Sequence, residues 1–583
     1  MMKGKRIIAL AMALVSSSAL FVACGVRTKN DPNTLYVGNF DGGLGTDWLR
    51  TVVEEFKKDY PQYKVEIDPM KEEYRDQYLL VNMPDARQDV YLLAGNSYYN
   101  MYDKDLISDM TACMTAKVYD EDGELAALTG KPAVGSMVDK MDPLFVEKCD
   151  ASTFDKNLAE GTYYCAANFA TLCAFTYDAD LFEQKGYYFD STNSIIAIEG
   201  TYNDTKYTDK VVYTTIDGDE IVLGTGPDGI TGTMDDGLPV TWEDFMTLMD
   251  AMVSDSIIPL TWAGSGDGAY TYTTLLRALF ANYEGKDNMS LFNYLEGTYN
   301  GNNPDMPTNI TVENAYELMN MNGRKAALKA MYDILSDASY YSPNAIKTGQ
   351  DNQLSQKEYA MSPTYGTGKR VAMYMESNWW ENEARAFFDA MKKSYPQYSW
   401  GQRNLKMMPV PNFVGTEDVP DTTQTKQTLL LNGGDSLIVM NKNVETNGKK
   451  PVAELFVQYL HSRTSLATHT TTNGVIRPYD YELNDAEYAK LTPYSKSVWS
   501  YYQEGKKGTY DMSCAVEISP FWSLNSNSAN FLLCMFSVDY KNKTSYVPFN
   551  VIKVDGLSFA DYIKGGSSWA KRVWTDKNTI LEW

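Results

Sequence analysis

The start of the chain body sets the fold. Thr34 to Asn39 reads as a strand, and the loop Asp41-Gly42-Gly43-Leu44-Gly45 follows it. From Asp47 to about Tyr60, Leu49, Val52, Val53 and Phe56 recur at helical spacing on one face. Pro61 ends that helix, and Tyr63 to Asp68 reads as a second strand. Strand, helix, strand in that order requires a crossover, and therefore a parallel pair covered by a helix. The alternation continues. Asp89 to Ala94 is another apolar strand. Thr241 and Asp244 are spaced as a capping box ahead of Phe245, Leu248, Met249 and Met252. Ser436 to Met440 is a strand before a helix face made by Val452, Leu455, Phe456, Tyr459 and Leu460. The class is α/β, and 583 residues suffice for two or three domains. No internal repeat occurs. The polar stretches 190–240 and 283–322, rich in Gly, Asn, Asp and Thr, read as insertions on the core architecture.

Ahead of this body, Lys3, Lys5 and Arg6 form a basic head, and an apolar run extends from Ile7 to Val22. Ala23 and Cys24 close it. A charged head, a short apolar stretch and a small residue at the cut predict a secretory signal. A Cys directly after the small residue resembles a bacterial lipobox, with Phe21 where Leu is usual. This implies a signal over 1–23, a lipidated Cys24, a polar tether over 24–33 and an exported, membrane-anchored chain. No later apolar run is long enough to span a bilayer.

Net charge is −24, or −27 once the three positive charges of the signal are removed (−24 − 3). Such a chain repels phosphate backbones, and no basic stripe offsets this, so a nucleic-acid partner is excluded. The chain has 43 Tyr, 21 Phe and 11 Trp, and aromatic faces pack well on the C–H faces of sugar rings as well as in cores. With only His461 and His469 present, His-ligated metal clusters and His-based triads have almost no material. Both are expected at helix ends or on the surface. Cys113, Cys149, Cys165, Cys173, Cys514 and Cys534 form no CxxC, and their pairing is not readable from sequence. Residues 226–237 read GPDGITGTMDDG, in which Asp228, Asp235 and Asp236 between glycine turns could wrap a structural Ca²⁺; the plainer reading is a pair of surface turns. No other cofactor is expected.

Several segments in order resemble the family 1 extracellular solute-binding proteins, the receptors of sugar-type ABC importers. They are the opening strand, Gly loop and helix ending FKKDYP at Phe56–Pro61; DVYLLAGNSY at Asp89–Tyr98; GTYYCAANFATLCAFTYDADLF at Gly161–Phe182; PVTWEDFMTL at Pro239–Leu248; KRVAMYMESNWW at Lys369–Trp380; and Leu431–Tyr459. The resemblance implies a two-lobed, periplasmic-binding-protein-like (type II) fold. Each lobe would hold a mostly parallel sheet flanked by helices, with a hinge of crossing strands near 167–170 and 430–434. The first lobe would comprise 34–167 and 435–485, the second 168–434 and 486–583.

By position, the same resemblance implies ligand residues Asp41, Gly43 and Trp48 on the first loop and helix; Asn96 and Ser97 on the second loop; and Thr171 at the crossing. Trp379 and Trp380 match the stacking aromatic, Phe521-Trp522 resembles a second stacking site, and Trp262 and Asp435 are further candidates. The implied role is a lipid-anchored, monomeric receptor that captures an oligosaccharide between its lobes and hands it to a membrane permease. An oligopeptide receptor, a surface adhesin and a glycoside hydrolase are the alternatives, the last because Glu376, Glu381 and Glu383 lie near Trp379. No reaction motif supports an enzyme, and no Gly-rich phosphate loop followed by Lys occurs.

Overall fold

The computed structural model describes residues 31–70, 76–94, 98–200, 211–263, 269–347, 349–416, 419–432, 436–514, 538–540, 543–545 and 558–560. The signal, Cys24, Asn96, Ser97, Asp435, Trp522 and Cys534 lie outside the described residues.

The opening unit forms at the lengths its periodicity predicts. Strand β1 (Thr34–Phe40) leads through the glycine loop to helix α1 (Asp47–Asp59), which buries Trp48, Leu49, Val52, Val53 and Phe56. Strand β2 (Lys64–Met70) returns parallel to β1, from Thr34 opposite Lys64 to Phe40 opposite Met70. Strand β3 (Val90–Leu92) is parallel on the other side of β1. Two short strands complete this first sheet: β4 (Ala166–Ala167), and β10 (Leu437–Met440), which lies between β3 and β4 and antiparallel to both.

The second sheet centres on β5 (Thr171–Asp178), fully buried along its length. On one side it pairs antiparallel with β7 (Val371–Ser377), which pairs parallel with β6 (Ile258–Thr261). On the other side it pairs antiparallel with β8 (Leu405–Met408) along one half and β9 (Thr428–Asn432) along the other. Strand β11 (Asp511–Cys514) is parallel to β9 at the edge. The chain therefore passes between the sheets at 168–170 and returns to the first sheet after β9, entering it at Leu437. The strand entered from the other lobe runs against its neighbours each time, so β5 and β10 are antiparallel within otherwise parallel arrangements.

Helix α2 (Trp242–Ser254) starts at the capping box its sequence spells. Asp244 N donates to Thr241 Oγ1 at 3.1 Å, and Thr241 N donates to Asp244 Oδ2 at 2.9 Å. Its buried Phe245 stacks on Phe175 of β5 at 4.8 Å between ring centroids. The stretch 190–240 carries a two-stranded ribbon, Val212–Thr214 with Glu220–Val222, and sends Ile196, Tyr213, Leu223 and Leu238 into the second lobe's core. The stretch 283–322 is more than surface: Tyr299, Met306, Ile310, Leu318 and Met319 enter the second lobe's core.

Asp178 closes β5 and is fully buried. Its carboxylate accepts from Arg370 Nη2 at 2.7 Å and from Arg403 Nη2 at 2.9 Å, and its Oδ1 caps the helix that follows by accepting from Leu181 N. Burial works against the charged form, but the Arg403 and Arg370 guanidiniums outweigh it and hold the carboxyl below its usual range. In the first lobe, Lys449 Nζ and Asp89 Oδ2 form a second buried pair at 2.9 Å.

His461 stands at a helix end, as expected, and His469 lies within a helix; neither is on the surface, because each is enclosed by protein. Cys113, Cys149, Cys165, Cys173 and Cys514 are buried, and no disulfide joins any two of them. Among the described residues, no helix is long and apolar enough to cross a membrane.

Candidate functional site

Two loops meet where the sheets face each other. From the first lobe comes the turn after β1. Gly43 there adopts φ +63°, a left-handed conformation that glycine reaches without a Cβ penalty. Asp41, half-buried on the same turn, accepts a hydrogen bond from the Thr46 hydroxyl. From the second lobe comes the end of β7, where Trp379 precedes the short helix α3 (Trp380–Glu383). A Cβ built on Gly43 would lie 3.2 Å from Trp379 Cγ, so the absence of a side chain lets the loop approach the indole. Asn382 Nδ2 donates to the Gly43 carbonyl at 2.7 Å and ties the two lobes together. The Trp379 ring, half-buried, meets Phe169 of the crossing edge-on at 6.1 Å and joins a small apolar cluster with Leu44, Phe169 and Val475.

Asn378 secures the second-lobe side. Its Oδ1 accepts from Leu172 N at 2.8 Å, and its Nδ2 donates to Gly474 O at 3.4 Å. One side chain thus holds β7 to the crossing strand and to the segment that returns from the first lobe. Asn378, Asn382 and Phe169 were not among the expected residues. Their signal was present as an Asn four residues from another Asn, bracketing the tryptophan pair.

The remaining expected residues separate by burial. Trp380 is 0% exposed, donates from Nε1 to Thr176 Oγ1 at 2.9 Å and packs among Tyr359, Tyr374, Phe388 and Tyr494. Trp262, also 0% exposed, packs on Tyr341, and Trp48, 1% exposed, packs on His469. A ring enclosed by protein has no face left for a ligand, so these three are corrected to packing residues. Thr171 is buried at the start of β5. The structure therefore brings Gly43 and Trp379 together, with Asp41 on the same loop.

The carboxylates near Trp379 are engaged by the protein. Glu381 is buried and accepts from the Thr492 hydroxyl at 2.6 Å and the Ser495 hydroxyl at 3.4 Å; Glu383 accepts from Gln356 Nε2 at 2.7 Å. Glu376 is buried within β7. Burial pushes Glu381 up to about 7. A carboxyl whose folded value lies above its unfolded value stabilises relative to its ionised form only while protonated. That contribution is present below about pH 4.5 and is lost as pH rises towards 7. Glu381→Gln should therefore match the parent near pH 4 and exceed it by up to ~3 kcal/mol at pH 8. Chemical denaturation at the two pH values checks this; equal differences at both would refute it. Gly43→Ala is expected to cost ~1 kcal/mol of stability from the left-handed backbone and to displace Trp379, read by melting temperature and by indole fluorescence.

The Asp228, Asp235 and Asp236 carboxylates are engaged by their own loop and by Tyr510. Asp235 accepts from Asp228 N at 2.9 Å, the Thr233 hydroxyl at 2.6 Å and the Tyr510 hydroxyl at 2.5 Å; Asp236 accepts from Gly232 N at 2.7 Å. Among the described residues, no three His, Cys, Asp or Glu side chains are grouped to hold a metal ion. Burial raises all three carboxyls, Asp228 to about 6.

No protein-family model and no curated protein matches the sequence. Solved structures do match along nearly the whole chain. A chitin oligosaccharide binding protein is 13% identical, with a TM-score of 0.52, over 94% of this chain and 99% of its own. RafE in complex with raffinose is 13% identical, with a TM-score of 0.50, over 92% and 99%. A probable secreted solute-binding lipoprotein from Streptomyces coelicolor is 12% identical, with a TM-score of 0.50, over 93% and 99%. With two sheets, paired crossings and this likeness, the chain has the two-lobed α/β fold of solute-binding proteins.

Proposed function

We propose that this chain is the carbohydrate receptor of an ABC importer, taking an oligosaccharide between its lobes. The observation that carries the reading is Trp379: a half-buried indole at the meeting point of the lobes, held by the Gly43 turn, Phe169 and the Asn382 bond. An indole so placed offers an apolar face for a sugar ring, and lobe closure would enclose it. Neighbours in fold are named for chitin oligosaccharide and for raffinose, which supports the same ligand class. Binding without catalysis is favoured because Glu381 and Glu383 are committed to Thr492, Ser495 and Gln356. Asp41 is proposed as a hydroxyl acceptor at the mouth of the cleft. Asn96, Ser97, Asp435 and Trp522 remain proposals from sequence.

Titration calorimetry of the mature chain against chitin, malto-, manno- and xylo-oligosaccharides and against peptides tests the reading. Saturable binding of one glycan class, with the glycan recovered intact, supports it. Binding of peptides alone, or recovery of cleaved glycan, overturns it. Export and anchoring rest on residues 1–24 and are proposed with it. Cys24→Ala should move the chain from the membrane fraction to the soluble fraction, checked by fractionation.

A further inference from the structure

Packed against Trp48 lies a buried positive charge that, among the described residues, has no counter-charge. Arg477 is 0% exposed. Its Nη2 meets His461 Nε2 at 3.0 Å, but Nε and Nη1 have no hydrogen-bond partner among the described residues. His461 Nδ1 lies 2.7 Å from the Val457 carbonyl, so Nδ1 carries the ring proton and neutral Nε2 accepts from the guanidinium. The rest of the surroundings is aromatic: Arg477 lies over Trp48 at 5.8 Å and Tyr479 at 5.9 Å, and Trp48 packs edge-on to His469 at 4.6 Å. Unpartnered polar atoms recur on these neighbours. Trp48 Nε1, His469 Nε2 and, one helical turn further, Asn473 Nδ2 are buried and have no hydrogen-bond partner among the described residues.

Buried polar groups are nearly always hydrogen-bonded, and buried charges are nearly always paired. Here a guanidinium with two unbonded nitrogens lies over an indole whose N–H is also unbonded, and among the described residues no carboxylate pairs with it. Lys140, buried beside His461 with its Nζ 2.7 Å from the His461 carbonyl, adds to the positive field. Burial lowers Arg477 to about 10, which leaves it charged at neutral pH.

We propose that Arg477, with the Trp48 indole N–H beside it, forms a buried site for one small monovalent anion, filled by chloride under ordinary conditions. The charge is set by the single uncompensated guanidinium. The size is set by enclosure: Trp48, Tyr119, His461, His469, Arg477 and Tyr479 are all buried, which excludes a polyatomic ligand of any length. The anion fastens the start of α1 to the helix Arg463–Asn473 and the segment after it. It thereby steadies the loop that α1 carries towards Trp379.

The test is independent of which solute the cleft takes. The mature chain is melted in sodium chloride, sodium bromide and sodium gluconate at matched ionic strength. A saturable rise in melting temperature with chloride and bromide is expected, about 3 °C at a hundred times the dissociation constant, with none in gluconate. Crystals grown in bromide are expected to show an anomalous peak beside Arg477 Nη1 or Nε. Arg477→Met and Trp48→Phe should each abolish the halide dependence. Equal melting in chloride and gluconate, or ordered water with no anomalous peak at Arg477, overturns the proposal. The wild-type crystal decides the matter even where a variant does not fold.

Discussion

Trp379→Ala should weaken oligosaccharide binding about a hundredfold, ~2.7 kcal/mol, while the unliganded chain keeps its fold. The size follows from geometry. Trp379 is half-buried at the edge of a small cluster of Leu44, Phe169 and Val475, so removing it empties less core than removing an enclosed ring. What it takes away is the aromatic face and the wall that positions the first loop. Trp380→Ala provides the contrast. It would remove the centre of a cluster of four aromatic rings and leave Thr176 without its indole donor, and so should cost ~3–5 kcal/mol of stability. Calorimetry and melting curves on the two variants separate the roles. Unchanged affinity in Trp379→Ala would remove the cleft assignment.

Asp178→Ala should cost ~4 kcal/mol of stability. It would leave the Arg370 and Arg403 side chains with no anion at the end of the second lobe's central strand and remove a helix cap as well. Asp178→Asn should be nearly as damaging, because the missing element is charge. The folded carboxyl lies below its unfolded value, so the triad's contribution is present above about pH 4 and fades as pH falls through the folded value. Urea denaturation at pH 7 measures the loss. A cost below ~1 kcal/mol would mean the two arginines find other partners.

The fold was legible where local pattern determines structure. Leu49, Val52, Val53 and Phe56 could form only one buried face, and the Thr241–Asp244 spacing specified a helix start. The site was less legible, for a physical reason. Trp379 and Trp380 are adjacent at a strand-to-helix junction, where neither the period of two nor that of 3.6 governs. No local rule tells which indole is enclosed and which is left half-buried. The same holds for His461 and His469. Their helix pattern does not reveal that Arg477, just beyond the helix, and Trp48, distant in sequence, close over them. Asn382 matters through one bond to a backbone carbonyl 339 residues earlier, and a contact so remote leaves no trace in its neighbours.

The placement of β10 bears on how the protein is made. Leu92 of β3 pairs with Ile438, so the strand that completes the first sheet is separated from it by nearly the whole second lobe. Closing so long a loop delays the pairing, and proteins dominated by such distant contacts fold slowly. Until residue 440 is available, β3 has a bare edge that invites pairing with other chains. A fragment ending within the second lobe is therefore an aggregating species and not a smaller folded domain. Synthesis, and any passage across a membrane, must carry an unfinished first lobe until most of the chain has followed.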